Sequence, residues 1–139
     1  MDLTLIFFFA IIIIIGALML GFISRSKKGS KKIDVEYYRS KLLEIEHQLK
    51  QDDVSSYHLS VLNGDKLVDQ ALRSRGIKGK TMGERMKNSV DKFSDRNGIW
   101  SAHKLRNKIA HESNVNVNYS EARYALANFR KALKDLGAI

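Results

Sequence analysis

From Leu3 to Ile23 the chain runs for twenty-one residues without a charged side chain, and Ile11 to Ile15 are five isoleucines in a row. A helix rises about 1.5 Å per residue, so this run reaches across the roughly 30 Å hydrocarbon core of a bilayer. A cleaved signal peptide needs a basic start, a shorter apolar core and a small-residue cleavage site. Here the only charge before the run is Asp2, and the run is too long. A buried core helix needs cover on every side, which the remaining chain cannot give to five consecutive isoleucines. Residues 1–23 are therefore predicted to form a single transmembrane anchor.

Arg25, Lys27, Lys28, Lys31 and Lys32 follow at once, among Ser24, Ser26, Gly29 and Ser30. Basic residues flanking a span stay on the cytoplasmic side. The expected arrangement is single-pass in the inner or plasma membrane, with the N-terminus out and the rest of the chain cytoplasmic. Residues 24–32 read as a flexible basic tether. It can hold anionic headgroups at about 1 kcal/mol per residue, so the lipid bilayer is the first expected partner.

Residues 33–139 are enough for an independent core. They hold 19 of the 24 Lys and Arg and 14 of the 15 Asp and Glu, a net charge of +5. That mild excess permits RNA binding without requiring it. The chain has no Cys and no Pro. A disulfide framework and a thiolate metal site are excluded, and the composition suits helices.

Five helices are legible in this part, with no strand pattern, so the fold class is all-α. The first starts at Asp34 as N-cap and repeats Val35, Tyr38, Leu42, Ile45 and Leu49, until Asp52 and Asp53 break it. The second covers about Ser55 to Arg75, with Tyr57, Val61, Gly64, Val68 and Leu72 on one face. Gly64 in mid-helix predicts close approach of a neighbouring backbone. Gly79-Lys80-Thr81 imitates the end of a phosphate-binding loop, but the first glycine and the preceding strand of that motif are missing. Thr81-Met82-Gly83-Glu84 has capping-box spacing and starts a third helix, whose apolar face is Met82, Met86, Val90 and Phe93. A loop at 113–118 precedes a last helix that buries Ala122, Leu126, Phe129, Leu133 and Leu136 and stops at Gly137.

The fourth of these helices, beginning near Ile99, carries the chemistry. On a helical wheel Ala102, Leu105 and Ile109 share one face, with Ile99 and Ala110 at its border. Trp100, His103, Asn107 and His111 form a neighbouring stripe. Arg106 lies between them, at the edge of the apolar face, where an unpaired charge is costly. In a purely structural reading Arg106 pairs with Glu84, Asp91 or Glu112, and His111 caps the helix C-terminus.

Arg106-Asn107-Lys108-Ile109-Ala110-His111 resembles the signature of the HEPN superfamily, Arg-x4–6-His with a polar residue directly after the Arg. The resemblance covers residues 33–139. It implies a four- to five-helix bundle, commonly dimeric, and often a ribonuclease that needs no metal. In the family's terms His111 moves a proton to or from a ribose 2′-OH or a leaving 5′-oxygen, and Arg106 holds the phosphate as it gains charge. Asn107 orients the phosphate or the imidazole, and His103 is a possible second acid/base group.

No metal ligands and no cofactor are expected. On a straight helix Arg106 and His111 point about 140° apart, so the resemblance implies a homodimer with a composite site. RNA, or an antitoxin-like protein, would be the partner. The alternative is a non-catalytic, membrane-anchored interaction or scaffold protein that keeps the bundle.

Overall fold

The computed structural model describes residues 3–26 and 32–139, with side chains described for 3–21 and 32–139. Every regular element among the described residues is helical. The chain divides into two units, Met1–Ser30 and Lys31–Ile139.

The first unit contains one helix, α1 (Leu3–Ser26). Its stretch Leu3–Gly21 is long and apolar enough to cross a membrane, and none of it is buried. The helix runs past Ile23, so Ser24, Arg25 and Ser26 of the predicted tether continue it. Residues 27–31 of that tether lie outside the described residues.

The second unit is a helical bundle of α2 (Val35–Gln48), α3 (Val54–Ser74), α4 (Met82–Lys87), α5 (Arg96–His111) and α6 (Tyr119–Asp135). A single 3₁₀ turn, Val90–Lys92, lies between α4 and α5. The central element is α3, which packs against α2, α4, α5 and α6, and α5 packs against α6.

Each of these five helices begins on a side-chain cap. Asp34, Asp53, Thr81, Asp95 and Asn118 accept from the backbone N–H three residues on, at 2.8 to 3.2 Å. Such a cap satisfies a donor that the helix itself cannot. The reciprocal half of the capping box forms at Asn118, whose N–H donates to Glu121 Oε2 at 2.9 Å. At Thr81 it does not form, because the Glu84 carboxylate instead accepts from Lys80 N–H at 2.7 Å. Replacing Asn118 by Ala is expected to cost about 1 kcal/mol and lower the melting temperature by several degrees. Thermal circular dichroism of the full chain checks this, with the exposed loop residue Asn116→Ala as a silent control.

The stops are as local as the starts. Gly76 and Gly137 have φ of +73° and +63°, a region open to glycine at little cost. At each, the glycine N–H and the next N–H bond back across the last turn: Gly76 to Arg73 and Ile77 to Leu72, Gly137 to Lys134 and Ala138 to Leu133.

The core is continuous across the bundle and includes Leu42, Val61, Val68, Leu72, Met86, Ile99, Phe129 and Leu133. The close approach predicted at Gly64 is real but comes from a side chain. A Cβ there would lie 2.6 Å from Phe129 Cδ2, so the Phe129 ring occupies the space the glycine leaves. The third helix is shorter than its periodicity predicts. Asn88 and Ser89 turn back on the chain, Ser89 Oγ donating to the Arg85 carbonyl at 2.8 Å, and the helix ends at Lys87. Met82, Met86 and Phe93 still reach the core, whereas Val90 is exposed. The motif helix starts three residues before Ile99, and Ile99 itself is fully inside rather than at a border.

Candidate functional site

Two carboxylates one turn apart on α3, Asp65 and Asp69, hold the walls of a groove. On one side Asp69 Oδ1 meets Arg85 Nε of α4 at 2.7 Å, and Arg73 Nε reaches Asp69 Oδ2 at 2.9 Å. Arg85 is buried and also donates to the Gly79 carbonyl, which pins the 76–81 loop. On the other side Asp65 grips α5. His103 Nδ1 lies 2.8 Å from Asp65 Oδ1, and Arg106 Nε lies 3.2 Å from Asp65 Oδ2. The space between α4 and α5, over α3, is a groove of about 930 Å³, near the upper end of the size range of ligand pockets.

Asp65 is only 2% exposed. A buried carboxylate is costly unless its oxygens are partnered, and here a histidine and an arginine face it. A carboxylate oxygen accepts, so a neutral His103 bonded to it in this way would carry its ring proton on Nδ1 and leave Nε2 as the acceptor. Arg106 is close enough for an ion pair, but its Nε–H is not aimed at the oxygen and makes no hydrogen bond. Its Nη1 donates to Asn107 Oδ1 at 2.9 Å. The side chain is 36% exposed, so the guanidinium borders the groove rather than the core.

All the residues singled out from the sequence line this groove: Trp100, His103, Arg106, Asn107 and His111. Their contacts add three facts that the sequence did not show. Arg106 pairs with none of Glu84, Asp91 and Glu112, but with Asp65. Asn107 Oδ1 accepts from the Arg106 guanidinium. His103, on the stripe that neighbours the apolar face, is 8% exposed and bonded to Asp65.

His111 is the last residue of α5 and exposed, and no hydrogen bond joins it to Arg106 among the described residues. Trp100 stands edge-on to His103, ring centroids 6.1 Å apart. Lys66, Lys80, Lys87 and Lys104 are exposed around the rim and form no ion pair among the described residues. No group of three or more His, Cys, Asp or Glu there is placed to hold a metal ion.

Asp65 is the residue that periodicity missed. It follows Val61 by four and precedes Val68 by three, so it falls inside the apolar stripe of α3. A charged residue in such a stripe signals a buried partner. No family model matches the chain, and no curated protein or solved structure is significantly similar to it.

Proposed function

We propose that the chain is a membrane-tethered, HEPN-like protein whose α3–α4–α5 groove binds RNA and cuts it without a metal. The observation that carries this reading is the placement of Arg106, beside a histidine on a shared carboxylate, in a groove rimmed by four unpaired lysines. A cationic groove attracts a polyanionic strand, and Trp100 offers a face for a base. Arg106 presents a planar fork to the phosphate as charge builds on it. An imidazole of the groove takes the proton of the 2′-hydroxyl, and the family resemblance assigns that work to His111. The products are a 2′,3′-cyclic phosphate and a 5′-hydroxyl.

The test is incubation of the full chain, in detergent micelles, with unstructured RNA in the presence of a chelator. Cleavage to cyclic-phosphate ends is expected, and a DNA strand of the same sequence should survive because it lacks the attacking hydroxyl. One observation favours a second reading, a non-catalytic membrane-anchored scaffold: Asp65 and Asp69 also lock α4 and α5 onto α3, as an inert bundle requires. Intact RNA across varied sequences would support it.

Membrane attachment is the other half of the proposal. The apolar, unburied stretch Leu3–Gly21 supports it, and the five basic residues that follow set the direction. A reporter fused after Ile139 is expected to be active only in the cytoplasm. Activity only outside the cell would reverse the topology.

A further inference from the structure

Building on the ribonuclease reading, we propose that the proton-accepting imidazole is His103 rather than His111, with Asp65 as its positioning residue. One chain then holds a complete Asp65–His103–Arg106 site. Asp65 Oδ1 fixes the His103 Nδ1–H at 2.8 Å and so turns Nε2 to the groove as an acceptor. Nε2 has no hydrogen-bond partner among the described residues, and it is not among the polar atoms sealed from solvent. A Cβ on Gly83 would lie 3.9 Å from Nε2 and 4.0 Å from Trp100 Cη2. The absent side chain at residue 83 thus leaves space beside Nε2.

The other oxygen of the same carboxylate faces Arg106 at 3.2 Å. His103 and Arg106 are three residues apart, about 60° on the helix, whereas Arg106 and His111 diverge by about 140°. His111 is exposed at the end of α5, with no hydrogen bond among the described residues to fix its ring.

The step balances with water alone. His103 Nε2 takes the 2′-hydroxyl proton as the O2′–P bond forms. The P–O5′ bond breaks, and O5′ leaves with its electron pair and takes a proton from water. The hydroxide so made is neutralised by the proton His103 then releases. Arg106 faces the non-bridging oxygens throughout.

The test compares Asp65→Asn, His103→Gln and His111→Ala in the full chain in micelles, on a labelled single-stranded RNA with chelator, under single-turnover conditions. The first two are expected to slow cleavage by at least about a hundredfold, while affinity for the uncut 2′-deoxy strand, read by Trp100 emission, stays nearly unchanged. His111→Ala should slow cleavage less than His103→Gln does. Nitrogen NMR of the His103 ring at alkaline pH should show Nδ1–H in the wild type and a mixture of tautomers in Asp65→Asn, a change that looser packing alone does not produce.

Should Asp65→Asn fail to fold, His103→Gln and the wild-type spectrum decide. A folded His103→Gln that cuts normally, or a wild-type ring protonated on Nε2, overturns the assignment and leaves the ribonuclease reading standing. A wild type that cuts no RNA overturns both.

Discussion

Arg106→Ala is expected to lower the single-turnover rate of RNA cleavage by at least about a hundredfold, the scale for loss of a group that stabilises transition-state charge. The fold should survive. Arg106 is 36% exposed at its side chain, so truncation opens no sealed cavity. Its Nε makes no hydrogen bond, and Asp65 keeps the His103 bond. The loss of one partner from a buried carboxylate still carries some cost in stability. Arg106→Lys keeps the charge but loses the fork that matches a phosphate, so it should recover only part of the rate. Rates measured beside thermal melts separate the two effects. A folded Arg106→Ala that cuts at the wild-type rate would remove Arg106 from the chemistry.

Phe129→Ala is expected to be the most damaging single change to stability, at about 3–5 kcal/mol. Phe129 is fully buried, and its ring fills the notch left by Gly64 on the central helix α3. A domain of this size typically has about 5–15 kcal/mol in all. The same contact makes Gly64→Ala unfavourable, although alanine alone would favour the helix by about 1 kcal/mol. Combining Gly64→Ala with the smaller Phe129→Leu should recover part of the loss, because the two positions share one space. Urea denaturation in micelles, followed by circular dichroism, measures the wild type, Phe129→Ala, Gly64→Ala, Phe129→Leu and the double variant. Simple additivity would show that the ring and the glycine are not coupled.

Much of the bundle was legible because its signals are local. Asp34 and Thr81 cap the helices they were predicted to cap, and Gly137 stops the last one. Tyr38, Leu42 and Ile45, and Val61, Val68 and Leu72, face inward as their spacing requires. What was not legible depends on which helix lies beside which. The sequence offers Glu84, Asp91 and Glu112 as partners for Arg106, whereas the carboxylate that meets it is forty-one residues back, on α3. Glu84 does line the groove, but its carboxylate is engaged by Lys80 N–H. His103 had no local sign of burial, since its bond to Asp65 exists only once α5 packs on α3. The break after Lys87 was missed for the opposite reason: the apolar spacing of Met86 and Val90 outweighed the turn chemistry of Asn88 and Ser89 between them.

The claim that RNA occupies the α3–α4–α5 groove has a built-in probe, because Trp100 is the chain's only tryptophan and it lines that groove. Titration of the full chain in micelles with a single-stranded RNA, at low salt and with chelator, reads the groove directly through Trp100 emission. The expected result is a saturable change in emission whose apparent affinity falls steeply as salt is raised, since the rim lysines bind phosphates by releasing counterions. Emission that stays constant at every RNA concentration, or a change indifferent to salt, would contradict it.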